Sequence, residues 1–215
     1  MSFFEFMVEN RTEVWVRTGE HLMLVGIATA TAVVIGVPLG IFLTRSPRLR
    51  APVIGLTNIF QTIPSLALLG FILPLPLIGG LGARTAIVAL VLYSLLPIVR
   101  NTFVGVSQVD SSIREAAKGL GMTSMQILRI VELPLAIPFI LAGLRIATVV
   151  GVGVATIAAA IGAGGLGTFI FRGLSMVNTT TILAGAVPAA VMALVADGGL
   201  HLLERRLDWK SNAHR

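Results

Sequence analysis

The sequence predicts an all-α integral membrane protein of about five transmembrane helices, and three observations lead to this prediction. Hydrophobic residues make up 55% of the 215 residues, whereas charged residues make up only 12%. The mean hydropathy of +0.93 is well above that of a soluble globular domain. Long stretches carry no Asp, Glu, Lys or Arg, and about 20 apolar helical residues suffice to cross a bilayer core. These uncharged stretches are residues 21–44, 51–83, 85–99, 146–171 and 173–196.

Each uncharged stretch is expected to hold one spanning helix. The preceding segment, residues 1–20, carries acidic and basic side chains before any long apolar run, which is not the form of a cleaved signal peptide. The second stretch is long enough for a helix plus a re-entrant piece, because Pro64, Pro74 and Pro76 would break or kink a helix there. The expected spans are residues 21–43, 53–76, 84–104, 137–160 and 180–201.

The distribution of Lys and Arg predicts the orientation of these spans. With an extracytoplasmic segment 1–20, a transmembrane domain 21–204 and a cytoplasmic tail 205–215, the basic residues concentrate inside, as the positive-inside rule requires. The net charge of +6 then favours contact with the inner leaflet, and nucleic-acid binding is not expected. The inner segments carry eleven basic residues, Arg45, Arg48, Arg50, Arg100, Arg114, Lys118, Arg129, Arg205, Arg206, Lys210 and Arg215, and the outer segments four, Arg11, Arg17, Arg84 and Arg172.

The longest charged connection, residues 105–133, is expected in the cytoplasm, and its segment 110–133 begins with signals for a short helix. Ser112 followed by Glu115 is a capping-box pattern, in which each side chain satisfies an orphaned backbone amide of the first helical turn. Gly119 and Gly121 supply the positive-φ residue that commonly ends a helix. The pattern therefore predicts a helix from about residue 112 to a glycine turn.

A second short helix is predicted directly after that turn. Thr123 with Gln126 repeats the capping pattern, and Pro134 disfavours helical continuation at Leu133. Helices this short are unstable in isolation, so their apolar side chains must pack on the ends of the spans or into another protein. The pattern alone leaves both possibilities open. The side chains concerned are Met122, Met125, Ile127, Leu128 and Val131.

The residues of this hairpin resemble the EAA loop of the permease subunits of ATP-binding cassette importers. That loop reads EAA, then Gly, then Ile-x-Leu-Pro at the spacing found here, with Val131 in place of the usual Ile. The resemblance implies that the two helices are coupling helices, which dock into a groove on a cytoplasmic ATPase. By this resemblance the ATPase-coupling residues are Glu115, Ala116, Ala117, Gly121, Leu133 and Pro134.

Further stretches are similar to the osmoprotectant branch of these permeases, and the similarity extends over about residues 20–205. It implies a transport subunit of a prokaryotic inner-membrane importer for glycine betaine, carnitine, choline or related amines, with no cofactor and no enzymatic activity of its own. The implied partners are a cytoplasmic ATPase dimer, a second permease copy or a related permease, and an extracytoplasmic solute-binding protein. The stretches are QTIPSLALLG at 61–70, YSLLPIVRNT at 93–102, VELPLAIPFILAGLR at 131–145 and IGAGGLG at 161–167.

Polar residues around a helix breaker mark a candidate translocation path in the second span. Such residues line solute paths where a transporter helix is broken, but they also form hydrogen bonds between helices. Both interpretations remain open at this stage. The residues are Asn58, Gln61, Thr62, Pro64 and Ser65.

Two charged residues in the later spans suggest an intramembrane ion pair. Arg145 is costly at bilayer depth unless it is paired or reaches the interface. Asp197 lies near the inner end of the last span, about level with Arg145. We expect a structural pair between them, with a gating role or separate contacts with the interface as the alternatives.

The remaining motifs do not indicate catalysis. The glycine run at 162–167 has no strand before it, so we expect an irregular turn ahead of a short helix near 169–174 rather than a dinucleotide site. His21, His201 and His214 are far apart in the sequence and are expected at the interface or in solvent. The chain has no Cys, so disulfides, thiol catalysis and thiolate metal sites are not expected. It also has no HExxH, Gly-x-Ser-x-Gly or Gly-x-x-x-x-Gly-Lys motif, so neither another metal site nor a catalytic centre is expected.

Few aromatic residues are available to recognise a quaternary amine. Cages for such ligands use several Trp or Tyr faces, and this chain has two Trp and one Tyr. Selection of the solute is therefore expected in an external binding protein. Two alternative functions remain: a permease for an amino acid such as methionine, and a non-transporting membrane scaffold.

Overall fold

The structure, a computed structural model, describes residues 2–212 and is helical with no strand among those residues. The predicted all-α fold is confirmed. The described chain also contains a π-helical segment, Ile127–Glu132, and a short 3₁₀ turn, Ala159–Ile161. The helices are α1 (Phe3–Glu9), α2 (Arg11–Arg45), α3 (Pro47–Thr62), α4 (Ser65–Ile72), α5 (Ala83–Ser107), α6 (Ser111–Gly119), α7 (Ser124–Gln126), α8 (Leu133–Ala158), α9 (Gly167–Ser175) and α10 (Thr179–Asn212).

Four stretches of the described chain are long and apolar enough to cross a membrane: α2, α5, the unbroken run from α7 through α8, and α10. The pair α3 and α4 passes the same test together but is bent by 104°, so it forms a fifth span if counted as one broken helix. This break at Ile63 and Pro64 lies where the sequence predicts one. The predicted count of about five spans agrees with this arrangement.

The first and last spans are longer than predicted. Helix α2 begins ten residues before the expected start of the first span, and Arg17 forms ion pairs with Glu13 and Glu20 in its first turns. Helix α10 continues to Asn212, through most of the predicted tail 205–215. Residues 213–215 of that tail, with His214, lie outside the described residues.

Helices α2, α5 and α8 form the centre of the bundle, with α3 packed on α5 and α10 packed on α8. Small residues let these helices approach closely. Because lipid is as apolar as the side chains, the hydrophobic effect does not drive membrane helices together, and close van der Waals packing stabilises them instead. Ala28 of α2, Ala89 of α5 and Ala155 of α8 are fully buried in this core. At Gly40 of α2, an added Cβ would lie 2.8 Å from the backbone oxygen of Val99 in α5.

The first hairpin helix begins earlier than the sequence suggests. Asp110 is the N-cap and accepts a 2.8 Å hydrogen bond from the backbone N–H of Ser112. This bond lowers the pKa of the Asp110 carboxyl below its usual value. The predicted capping box of Ser112 with Glu115 is therefore wrong, because an Asp two residues before Ser112 takes the capping role and leaves Ser112 inside the helix.

The second hairpin helix does not end at the proline. Its capping box is confirmed, since the Thr123 side chain accepts from the Gln126 N–H and the Gln126 side chain accepts from the Thr123 N–H. The helix then continues through the π segment into α8 with Pro134 in the first turn, contrary to the prediction. The π turn shifts the bonding to i→i−5, as in the bond from Leu133 N–H to Leu128 O, and such a shift accommodates a residue with no N–H.

Replacing Gly40 by Val should destabilise the bundle by about 1–3 kcal/mol, because the new side chain overpacks the contact between α2 and α5. Gly26→Val on the same helix is the matched control, since nothing lies within 4 Å of a Cβ at Gly26. Thermal unfolding of the purified chain in detergent measures both. Equal losses for the two variants would contradict the packing described here.

Candidate functional site

The hairpin of α6 and α7 projects from the end of the bundle where α2 and α5 finish and α8 begins, which we call the hairpin end. Gly121, with a φ of +79°, forms the turn between the two helices. The Met122 N–H donates to the Ala117 carbonyl and the Gly121 N–H to the Lys118 carbonyl. This pair of bonds is a Schellman motif, which needs a left-handed residue at the position of Gly121.

The residues that resemble the coupling motif divide between the hairpin surface and its packed side. Glu115, Ala116, Gly121 and Pro134 are exposed, whereas Ala117 is buried and Leu133 is half-buried. The hairpin and the π segment also expose apolar side chains. An apolar surface on so small an element is typical of a protein contact. These apolar side chains are Ile113, Leu120, Met125 and Ile130.

A buried glutamate lies beneath the hairpin. Glu132 is 2% exposed, and its Oε2 accepts a 2.5 Å hydrogen bond from Arg45 at the end of α2. Arg114 of α6 places its Nε 2.9 Å from Glu132 Oε1 and donates from Nη2 to the Val106 carbonyl of α5 at 2.5 Å. This cluster was not predicted from the sequence. The available signal was that Glu132 is the only acidic residue between Glu115 and Asp197.

The broken span is attached to α5 by two reciprocal hydrogen bonds. Pro97 has no N–H, so the Tyr93 carbonyl lacks its usual helical partner, and the Gln61 side chain donates to that carbonyl at 2.8 Å. In return, the Tyr93 hydroxyl donates to the Ile63 carbonyl at the break. Gln61 therefore satisfies a backbone group that would otherwise be unpaired inside the bundle.

The other predicted path residues lie apart from this attachment. Asn58 lines a groove of about 640 Å³ between α3 and α5, together with Arg50 and Arg100. The Thr62 hydroxyl donates to the Ile59 carbonyl within its own helix. Pro64 is exposed at the bend, and Ser65 opens α4. Of the predicted set, Asn58 is the residue that lines this groove.

At the end opposite the hairpin, the glycine run folds over the first span. Gly162, Gly164 and Gly165 all have φ near +80°. A short helix, α9, follows them as predicted. The Glu20 carboxylate accepts from the Gly165 N–H at 2.8 Å, and a Cβ at Gly164 would lie 2.6 Å from that carboxylate. The loop needs glycine both for its backbone angles and for this contact.

His21 is fully buried beneath this loop, so the expectation of an interfacial or solvated His21 is wrong. Its Nδ1 accepts from the Leu166 N–H at 3.3 Å and its Nε2 lies 3.2 Å from the Val152 carbonyl. These two contacts require the neutral tautomer with the proton on Nε2. The absence of a Cβ at Gly165 leaves room for the imidazole.

Arg145 is within 4 Å of two carboxylates of α10. Its Nε lies 3.7 Å from Asp197 and 3.8 Å from Glu204, and its Nη1 lies 3.3 Å from His201. The structure thus brings Arg145 and Asp197 together and adds Glu204, which lies two turns further along the same helix. These contacts join α8 to α10 near the hairpin end.

A family model described as the inner membrane component of binding-protein-dependent transport systems matches residues 36–209. The chain belongs to this family. Its members are transport subunits of importers that work with an ATPase and a solute-binding protein. The chain is therefore a membrane transport subunit rather than an enzyme.

Named relatives cover nearly the whole chain. The glycine betaine/carnitine/choline transport system permease protein of Bacillus subtilis is 46% identical over 94% of this chain and 92% of its own. The carnitine transport permease protein of Listeria monocytogenes is 45% identical over 96% and 93%. The osmoprotectant import permease protein of Salmonella typhimurium is 44% identical over 95% and 96%.

The fold also matches chains of solved ABC transporters. A chain of the methionine ABC transporter in an inward-facing conformation superimposes with a TM-score of 0.82 at 27% identity, covering 96% of this chain and 99% of that chain. A chain of an amino acid ABC transporter solved with histidines shares the fold, with a TM-score of 0.77 at 23% identity.

Gln61→Leu should destabilise the chain by about 1–3 kcal/mol, because it leaves the Tyr93 carbonyl buried without a donor. Thr62→Val is the control, since the Thr62 hydroxyl bonds only within its own helix. Thermal unfolding in detergent measures both variants. If Gln61→Leu proved as stable as the wild type, Gln61 would not be the group that satisfies this carbonyl.

Proposed function

We propose that this chain is the permease of an ATP-driven importer of compatible solutes such as glycine betaine, carnitine and choline. The observation that carries the proposal is identity of about 45%, over more than nine tenths of the chain, to permeases named for these solutes. The stretches quoted from the sequence support the same branch. A methionine importer is less well supported, because the matched methionine transporter is only 27% identical.

The hairpin is the proposed ATPase contact. Glu115, Ala116 and Gly121 lie on its exposed surface, next to apolar side chains that no described residue covers. The small side chain of Ala116 allows close approach, and Glu115 presents a charge to the partner. Closure of an ATPase dimer on ATP would displace this hairpin and shift the permease between inward-facing and outward-facing states.

The solute path is proposed at the contact between two permease chains. Five spans are too few to enclose a pore, and the groove lined by Asn58 opens at the surface of this chain. A second copy or a related permease would close it. Because the described residues hold no aromatic cage, recognition of the quaternary ammonium group falls to the solute-binding protein.

The hairpin end is proposed to face the cytoplasm, on the basis of the Lys and Arg distribution. The chain has no Cys, so a single Cys introduced at Ser112 or at Val177 in the wild-type background reports orientation directly. In intact cells a membrane-impermeant maleimide should label the Val177 variant and not the Ser112 variant. The reverse pattern would invert the proposed orientation.

Glu115→Lys and Gly121→Asp should each lower ATP-driven solute uptake by about tenfold or more, while membrane insertion persists. The first reverses a charge at the ATPase contact, and the second places a side chain at a φ of +79°, which strains the turn. Gly119→Ala is the matched control, because Gly119 is helical and a Cβ there meets nothing within 4 Å. Normal uptake by a well-expressed Glu115→Lys variant would refute the coupling assignment.

Competition in proteoliposomes containing the assembled importer tests the solute class. Excess unlabelled glycine betaine, carnitine or choline should reduce uptake of radiolabelled glycine betaine, and methionine should leave it unchanged. Uptake of methionine, with no uptake of the quaternary amines, would favour the amino-acid alternative. If no ATPase were found in the purified complex and ATP drove no uptake, the scaffold alternative would be favoured.

A further inference from the structure

We propose that Glu132 is a positioning residue, which locks the hairpin to the first span so that a displacement of the hairpin also moves α2. The inference rests on the proposed ATP-driven transport and extends it to the route by which the displacement travels. It is carried by the cluster of Arg45, Glu132 and Arg114, which we call the clamp.

The clamp connects elements that are far apart in the sequence. Glu132 belongs to the π segment, Arg45 to the last turn of α2 and Arg114 to the first hairpin helix. Arg114 also bonds to the Val106 carbonyl near the end of α5. Three separate elements therefore meet at one buried carboxylate, and none of these contacts is between sequence neighbours.

The π segment determines where the carboxylate points. Bonding between residues five apart brings Ile127 and Glu132 to the same side of the helix, and both are buried. An α-helical turn would instead place residues five apart on different sides. The widened turn is thus what directs Glu132 inward to the arginines, and π turns of this kind are frequent at functional sites.

The burial of Glu132 holds the arginines of the clamp against its carboxylate. A carboxylate that is 2% exposed must be paired and hydrogen-bonded, so it holds its arginine partners in place. A cavity of about 220 Å³ beside it is lined by the clamp residues and by Lys118, which adds a third cation around one anion. Glu132 is the only acidic side chain in that lining, and the two arginines are the cations that contact it.

A displacement of the hairpin can therefore reach the spans by two routes. The first is covalent, because the chain runs without interruption from α7 through the π segment into α8. The second is the clamp, which reaches α2 through Arg45 and α5 through Arg114. Since α2, α5 and α8 form the centre of the bundle, both routes together move the central helices as one body.

The first test removes the route through the clamp and leaves the route through the continuous chain intact. Arg45→Gln cuts only the link to α2 and leaves Glu132 paired with Arg114, so the chain should still fold. In the reconstituted importer we expect ATP hydrolysis to continue while the solute imported per ATP falls by about fivefold or more. Arg45→Lys should restore part of the ratio, because it keeps the charge and loses the guanidinium geometry.

Arg48→Gln is the matched control, since Arg48 is an exposed arginine three residues further along at the same end of the bundle. Its ratio of solute to ATP should equal that of the wild type. An unchanged ratio in Arg45→Gln, or an equal loss in Arg48→Gln, would overturn the proposal.

The second test does not depend on which solute is carried. Spin labels on Cys at Phe42 of α2 and Ser112 of α6, in a chain that has no native Cys, report the distance between first span and hairpin in the complex with its ATPase. With Arg45 intact, the distance should be narrow and equal with and without an ATP analogue. With Arg45→Gln it should broaden or change on nucleotide binding. If this distance changed on nucleotide binding while the clamp was intact, the proposal would be overturned. This result would count against the clamp whether or not the importer transports the proposed solutes.

Discussion

The hairpin between the third and fourth spans is too short to hold its own shape, and the structure depends on how the rest of the chain holds it. Helix α6 has nine residues and α7 three, well below the length at which isolated helices persist in water. The structure supplies three supports. These are the N-cap Asp110, the glycine turn at Gly121, and the unbroken passage through the π segment into α8.

A second constraint acts inside the spans, where backbone groups freed by prolines and breaks have no water to bond. Side chains of neighbouring helices fill this need: Gln61 donates to the carbonyl freed by Pro97, and His21 accepts from the N–H of Leu166 in the glycine loop. These bonds join elements far apart in the sequence. Gln61 and His21 therefore have a structural role that is independent of any role in transport.

Much of the fold was predictable because its causes are local in sequence. Long stretches without charged residues predict the spans, and Pro64 predicts the break in the second span. Thr123 with Gln126 predicts the N-terminal cap of the second hairpin helix. The clamp was not predictable, because Glu132 becomes buried only through a π turn that no pattern indicates and through partners as distant as Arg45. Pro134 does not end the helix as predicted, because it lies in the first turn of α8, directly after the π segment.

The family and the named relatives assign transport to the chain as a whole, and the exposed surface of the hairpin is where we place its connection to an energy source. The most direct measurement is a cryo-electron microscopy map of the permease assembled with the ATPase that co-purifies with it. The account predicts that Ile113, Leu120 and Met125 are buried in a groove of the ATPase, with Glu115 at the contact. A map in which these side chains face solvent while the ATPase is bound elsewhere would contradict it.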